Sequence, residues 1–553
     1  MKQILTGISA ILNGGEKIKL YKLIVFDLVI GVLDIAFLGG LLFVLNFYTK
    51  STPPTNLKFL PASLLNPDSL LLIIVFFVLF GLKNLYGYFG LKSQHHFFYN
   101  VASRLSRRNI LDYLADDYSR FVGVDSSVQI RRISQQPVEF SHYILTNVQQ
   151  IVSQSVLICC TIFAILFYHP TLFLLLFVLL LPPVILLGWY IRKKLKDVRG
   201  SIKITSEKTL QHLHESLAGY VESNIYDKDS FFASRYTTYQ DQLNDNIATQ
   251  QTLQSLPTRL VEIFAVFGFL ILVLINKLSV NAPAIDLLTI GVFMAAAYKI
   301  IPGIVKILNS SGQIKTYKFT ITDLLPMAIV GSPERNTPAI QEVTFDNLRF
   351  KYKDHSILNG LNFQLQPGDF AGISGVSGKG KTTIINLLTG FLAPASGNIS
   401  INGKMADMET LKSYRSRISY VKQQPFFIND SILKNITFSE NEYDTDRLRE
   451  AIAFSGVDKL IEKYPEGIEQ QISENGKNIS GGQRQRIMLA RALYHVFDLL
   501  ILDEPFSEMD GEAEREILGK LKCMAEKGKM ILFVTHNKAG LAYCNKIITL
   551  DEK

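Results

Sequence analysis

The chain has 553 residues, 57 Lys and Arg against 49 Asp and Glu, 48% apolar and only 19% charged residues, and a positive mean hydropathy. This excludes a disordered or fibrous chain, and a charged fraction below the roughly 25% of soluble domains predicts that part of it lives in lipid. The formal charge of +8 would suit nucleic acid, but membrane proteins also gather Lys and Arg on cytoplasmic loops, so placement decides more than the total.

Met1 to Leu12 reads as an amphipathic helix lying on the cytoplasmic membrane surface. A polar stretch, Asn13 to Lys22, then precedes the first apolar run, and no small-residue cleavage site follows it, so a removed signal peptide is not expected. Six long apolar runs lie before residue 310, near Leu23 to Phe47, Leu70 to Gly90, Ile151 to Tyr168, Leu172 to Ile191, Leu260 to Ile275 and Leu287 to Ile307. Each is close to the roughly 20 residues that a helix needs to cross a hydrocarbon core. Between them the segments alternate in length. Tyr48 to Ser69, His169 to Thr171 and Asn276 to Asp286 are short and carry three Lys or Arg together. Lys92 to Asn147 and Arg192 to Leu256 are long and carry seven and nine. The positive-inside rule puts the long segments, and with them both termini, in the cytoplasm. Helical patches such as Arg104 to Phe121 and Thr205 to Ser223 predict that the long segments extend the membrane helices into water.

Pro182 and Pro183 interrupt the fourth run and Pro302 the sixth, which neighbouring helices can absorb or which can kink the bundle. Charges inside or beside the runs are costly unless they pair, snorkel or face a cavity. Lys83 and Arg259 read as snorkelling or paired, Arg259 with Glu262, whereas Lys299 sits mid-run and is a candidate for a cavity wall. Four cysteines, two of them the adjacent Cys159 and Cys160, write neither a disulfide framework nor a CxxC metal site. Gly331 to Thr337, with Gly, Pro and charge, marks the boundary to a half without long apolar runs.

That second half carries the chemistry. Gly375-Val376-Ser377-Gly378-Lys379-Gly380-Lys381-Thr382 matches GxxxxGK[ST], after a strand-like run (Asp369 to Ser374) and before a helix-like one (Thr383 to Thr389), which is the context the motif requires. The loop's backbone N–H groups and the helix N-terminus suit phosphate oxygens, Lys381 neutralises the outer phosphates and Thr382 can hold magnesium. Leu499 to Asp503 reads as a buried parallel strand ending in Asp503 and Glu504, the first placed to reach magnesium through water, the second to polarise an attacking water. Ile479-Ser480-Gly481-Gly482-Gln483 would form another anion-binding nest at a helix start.

These residues resemble the ABC transporter ATPases, whose signature is LSGGQ, with Ile479 in place of Leu. The resemblance implies that Tyr352 stacks on adenine, that Gln423 is the Q-loop glutamine and a magnesium ligand with Thr382 and Asp503, that Asp510 closes the D-loop and that His536 is the switch histidine beside catalytic Glu504. Thr383 joins the phosphate-loop set, and Ser480 to Gln483 would cap ATP held by a partner. Lys379, where the family usually has a small residue, and Glu508-Met509 in the D-loop are departures that remove no needed charge or donor.

Six spans followed by one such ATPase is similar, over essentially the whole chain, to exporter-type ABC half-transporters. The resemblance implies a six-helix membrane bundle with cytoplasmic coupling helices over residues 1–330, fused to a C-terminal α/β P-loop nucleotide-binding domain over 331–553. It also implies ATP and Mg2+ as cofactors, a homodimer in the cell (inner) membrane, and alternating access. The coupling bends fall near Asp112 to Phe121 and Gly219 to Phe232, and Glu474 lies in an X-loop-like segment. Around Tyr298 to Gly303 and Tyr113 to Phe121 the chain is similar to PglK-type lipid-linked oligosaccharide flippases. With Lys299 in the cavity, that points to an anionic lipid-linked substrate, the alternative being a general drug, lipid or peptide exporter. A nucleic-acid or chromosome ATPase is opposed by the six spans, and an ATP-gated channel or anchored regulator by the presence of Glu504.

Overall fold

A computed structural model describes residues 2–49, 69–115, 124–168, 170–278, 287–325, 337–352, 355–376 and 378–550. The chain divides near residue 330 into two compact units.

The first unit is helical: α1 (Lys2–Ile11), α2 (Gly14–Thr49), α3 (Leu71–Ala115), a helical run over 126–168 ending in α4 (Thr146–Tyr168), then α5 (Pro170–Ala218), α6 (Asp229–Leu278), α7 (Leu287–Thr316) and α8 (Phe319–Asp323). The six apolar runs are carried by α2 to α7. At 1.5 Å per residue, the 45 residues of α3 reach about 70 Å, twice the hydrocarbon thickness, so the long polar segments do continue the helices into water. Among the described residues, Gly14–Leu41, Leu71–Ala115 and Ser126–Phe163 are long and apolar enough to cross a membrane. Phe77, Leu82 and Phe89 of α3 and Val266 and Leu270 of α6 are more than half exposed, a surface that suits lipid and would be costly in water.

Helix α5 runs unbroken through Pro182 and Pro183, and α7 through Pro302. Two π-helical turns, Arg131–Gln135 and Phe140–Leu145, flank Pro137, whose missing N–H cannot close the ordinary ladder. Arg131, fully buried, donates its Nη2 to Glu139 at 3.1 Å and lies over the Phe319 ring at 4.9 Å, while among the described residues its Nη1 has only the ion-pair neighbour Glu207 at 3.5 Å. Lys83 does not snorkel: it pairs with Asp34 of α2. The Glu262 side chain, expected as the partner of Arg259, lies outside the described residues, as does that of Lys299. Helix α1 differs from the expectation of a helix resting on lipid. Its apolar stripe, Ile4, Ile8 and Ile11, is buried with Phe97, Leu105, Ile321 and Leu324, so protein covers the face that lipid was expected to cover. Of the expected coupling bends, 116–123 lies outside the described residues, while the short helix Tyr220–Ile225 occupies the second.

The second unit has two main sheets. Strands β1 (Val343–Tyr352), β2 (His355–Leu365), β4 (Ser396–Ile401) and β5 (Lys404–Met405) form an antiparallel sheet in the order β2-β1-β4-β5. Strands β3 (Phe370–Ser374), β6 (Ile418–Val421), β9 (Leu499–Asp503), β10 (Met530–Val534) and β11 (Lys546–Thr549) form a parallel sheet in the order β11-β3-β10-β9-β6. A short pair, β7 (Asp430–Ser431) and β8 (Gln471–Ile472), completes the set. Every residue of β9 and β10 is buried, as expected for parallel strands covered on both faces. One face packs with Ile384, Ile385 and Leu388 of α9 (Lys381–Leu388). The other packs with Ile487 and Leu489 of α10 (Gly481–Tyr494) and Ile517 and Leu521 of α11 (Gly511–Glu526).

Candidate functional site

The site follows from the register of the parallel sheet. Ile373 of β3 lies opposite Val534 of β10, Val534 opposite Asp503 of β9, and Leu502 opposite Val421 of β6. Four neighbouring strands therefore end at one edge, about 4.8 Å apart. At or just beyond those ends come the phosphate loop after β3, His536 after β10, Asp503 as the last residue of β9 with Glu504 after it, and Gln423 after β6. Residues scattered over more than 160 positions of sequence become neighbours because parallel strands must end on the same side, where open α/β sheets bind their ligands.

The loop reaches α9 through Gly380, which caps the helix with φ +93°. A side chain there would be strained by the backbone and would sit 2.7 Å from Ile357 Cγ2. Ile357 and Leu358 thus bring β2, and the hairpin carrying Tyr352, beside the loop. Tyr352 is half exposed, and its ring forms a T-shaped pair with Phe350 at a centroid distance of 4.8 Å. Within the loop, Gly375, Lys379 and Gly380 are at least half-buried, whereas Val376, Gly378 and Thr382 are exposed; Lys381 and Thr383 are buried, and Ser377 lies outside the described residues.

Lys381 is the centre of the constellation. Its ammonium donates to Gly375 O at 3.0 Å and to His536 Nδ1 at 3.2 Å, and lies 3.6 Å from Glu504 Oε1. Glu504 Oε2 in turn accepts from Gln423 Nε2 at 2.8 Å and lies 3.2 Å from His536 Nε2. A neutral imidazole protonated on Nε2 satisfies both of its contacts, accepting from Lys381 and donating to Glu504. Glu504 adopts φ +49°, rare outside glycine, while its N–H donates to Val534 O at 3.0 Å. That turn at the strand end aims the carboxylate across the sheet edge toward the loop.

Asp503 is 3% exposed, and burial, the larger effect, raises its carboxyl above the ordinary aspartate range, with the Tyr420 hydroxyl at 3.3 Å opposing the shift. Asp503 and Thr382 offer hard oxygens of the kind Mg2+ takes when phosphates and waters complete its shell. Gln423, expected among those ligands, donates its Nε2 to Glu504, which leaves its Oε1 as the atom that could face a cation. Tyr420 was not legible as a site residue. Only the β6–β9 pairing brings it to Asp503, and nothing in the local sequence marks it.

The Ile479-to-Gln483 residues form a second group. Ser480 caps α10 by accepting from Gln483 N at 3.4 Å, and Gln483 Oε1 answers by accepting from Ser480 N at 2.8 Å, a reciprocal capping box. The N–H groups of the first turn and the helix dipole suit this end to an anion. It is tied to the segment after β9: Gln485 donates to Ser507 Oγ at 2.8 Å and accepts from Glu508 N at 3.0 Å, and Arg484 holds the Glu508 carboxylate at 3.0 Å. A Cβ on Gly481 would overlap that carboxylate, which would have to swing aside. Asp510 caps α11 by accepting from Ala513 N at 2.8 Å, and that bond is the main reason its carboxyl lies below the usual range. Sequence reasoning marked Glu508 only as a departure and missed its contact with Gly481 and Arg484.

Two family models match the chain: ABC transporter over residues 358–507 and ABC transporter transmembrane region over residues 20–295. Among curated proteins, the ATP-dependent lipid A-core flippase of Cupriavidus metallidurans is 33% identical over 216 residues, 38% of this chain and 36% of that protein. The protein of the same name in Alkalilimnicola ehrlichii is 27% identical over 372 residues, 65% of this chain and 62% of that one. The chain spans less than two thirds of the length of these relatives. Among solved structures, a bacterial Atm1-family ABC exporter with ATP bound superposes with a TM-score of 0.77 at 20% identity, covering 96% of this chain and 94% of that one, which shows the fold.

Proposed function

We propose that this chain, which belongs to the ABC transporter family, is one half of a homodimeric, ATP-driven exporter that moves an amphipathic lipid across the cell (inner) membrane. The observation that carries the reading is the meeting of Lys381, Glu504, His536 and Gln423 at one sheet edge. Residues 1–330 form the membrane domain and 331–553 the nucleotide-binding domain, with both termini cytoplasmic, as the Lys and Arg of the long segments indicate.

ATP phosphates enter the loop between Gly375 and Lys381, and Tyr352 offers its ring to adenine. The Lys381 ammonium leaves Glu504 and Gly375 O for phosphate oxygens, which carry more charge. Glu504, freed from Lys381 but still held by Gln423, accepts the proton of a water aligned on the outer phosphate, while His536 Nε2–H steadies the developing charge. Asp503, Thr382 and the Gln423 Oε1 would hold magnesium, which would neutralise the phosphate oxygens. The Ser480-to-Gln483 helix end of a second copy, with Asp510 beside it, covers the nucleotide, so each dimer closes over two equivalent sites. Closure with ATP and release after hydrolysis shift the membrane helices between inward- and outward-facing states.

Relatives named lipid A-core flippases support a lipid cargo. Lys299 on α7 favours an anionic, lipid-linked head group over a general drug or peptide cargo. The purified chain in lipid nanodiscs is expected to hydrolyse ATP faster with an anionic lipid-linked glycan than with peptides, and Lys381→Ala is expected to lose nucleotide binding. A wild-type chain that binds no ATP, or a Lys381→Ala chain that binds it normally, contradicts the reading.

A further inference from the structure

Two cavities flank α2 within the membrane-spanning part. The larger, of about 240 Å3, lies between α2 and α3 and is bounded by Phe26, Asp27, Asp34, Lys83, Asn84 and Gln94 among others. The smaller, of about 90 Å3, lies between α2 and α4 and shares Asp27 and Asp34 with it. The two carboxylates are seven residues apart, so they share one face of α2 about 10 Å apart along its axis.

Their charges are compensated unequally. Asp34 is paired with Lys83, whose ammonium also lies over the Phe80 and Phe37 rings at 4.9 and 5.8 Å. Asp27 accepts only from the Ser153 hydroxyl, a neutral donor, and among the described residues no cation pairs with it. The two Asp and one Lys leave the cavity with a formal charge of −1, in surroundings where an uncompensated charge is expensive. Gln94 lines the same cavity, is 9% exposed and has no hydrogen-bond partner for its side chain among the described residues. The Phe26 ring closes another wall: Gly90 has no side chain to keep it off α3, and it packs on Tyr86 at a centroid distance of 5.0 Å.

A carboxylate without a counter-cation, an aromatic face and an unmet amide together suit an organic ammonium, which is bound by charge and by the ring quadrupole at once. A hard metal cation would need six or more oxygens, and one of the two carboxylates here is already committed to Lys83. An anion would meet Asp27 with Lys83 already spent. The volume lies below the roughly 300 to 1,000 Å3 that encloses a drug-sized molecule, so a head group fits and its tail stays outside. Leu91, about half exposed in the cavity wall, offers a tail an apolar surface.

We propose that this cavity binds the alkylammonium head group of an amphipath, with Asp27 as the counter-ion. The site goes beyond the ATPase reading, needs no nucleotide, and takes the charge opposite to the cargo argued from Lys299. The test is equilibrium binding of radiolabelled dodecyltrimethylammonium to the full chain in phosphatidylglycerol nanodiscs without ATP, corrected for empty nanodiscs. Binding is expected to saturate and to resist competition by a sulfonate with the same tail. It is expected to weaken at least about tenfold in Asp27→Asn, as when the counter-charge to a cation held away from water is lost, and to survive in Asp27→Glu. Equal competition by the sulfonate, unchanged binding in Asp27→Asn, loss in both variants or no saturable binding overturns the proposal. ATP hydrolysis in the same nanodiscs reports separately on the ATPase reading.

Discussion

Replacing Glu504 with Gln keeps the side chain's shape and removes its charge. The oxygen that accepts from Gln423 at 2.8 Å and faces His536 Nε2 at 3.2 Å can be an amide oxygen, so those two contacts hold the side chain in place. That orientation turns the amide NH2 toward the Lys381 ammonium, where a carboxylate oxygen stood at 3.6 Å. Lys381 retains Gly375 O and His536 Nδ1, so the loop keeps its form. Losing this mostly buried pair costs the nucleotide-free domain about 1–2 kcal/mol, between the values for exposed and fully buried pairs. Catalysis loses more. A positioned general base is worth roughly 100- to 10,000-fold, or about 3–5 kcal/mol of barrier. Steady-state hydrolysis in nanodiscs is therefore expected to show kcat down at least about 100-fold with KM for ATP changed less than about threefold. A variant with near-normal kcat, or one whose KM rises in step with the fall in kcat, would show that Glu504 is not the group that activates water.

Tyr420→Phe removes the hydroxyl that opposes the burial of Asp503, so the Asp503 carboxyl rises further. Because that group must be ionised to act on magnesium, the acid limb of the kcat/KM profile is expected to move to higher pH with the plateau retained; an unmoved limb refutes the assignment. Linkage has the opposite sense for folding: a raised folded pKa favours the protonated state, so this contribution is present at low pH and is lost as pH rises through the folded pKa. Gly481→Ala drives a methyl into the Glu508 carboxylate and breaks its 3.0 Å contact with Arg484. The exposed Glu508 can swing away, so stability is expected to fall by no more than about 1 kcal/mol in thermal unfolding, while turnover falls at least about tenfold with ATP binding intact, as when a transition-state contact is lost. Normal turnover in this variant contradicts the role given to the helix end.

Much of the candidate site was legible because nucleotide chemistry would demand fixed residues at fixed spacing. Gly380 must take φ +93°, Lys381 must follow it, and two acids must end a strand that is apolar throughout. The helices were legible because a hydrocarbon core requires about 20 apolar residues. What was hidden depends on register and packing between distant segments. Tyr420 reaches Asp503 only through the β6–β9 pairing, and Glu508 covers Gly481 only because Gln485 holds the segment after β9 against α10. Lys83 was marked as a costly charge, but its partner Asp34 lies 49 positions away on another helix, a contact that hydropathy cannot foretell. The stripe on α1 reads the same whether lipid or protein covers it, and only the fold supplies Phe97 and Ile321 as its cover.

The central claim, that ATP hydrolysis at this edge drives a lipid across the bilayer, is tested most directly in proteoliposomes. A fluorescent anionic lipid is supplied to the leaflet on the side of the nucleotide-binding domains, and its arrival in the opposite leaflet is read by a membrane-impermeant quencher. The account predicts arrival that requires ATP and Mg2+ and is abolished in both Glu504→Gln and Lys381→Ala. Movement that proceeds equally without ATP, or persists in either variant, would contradict it.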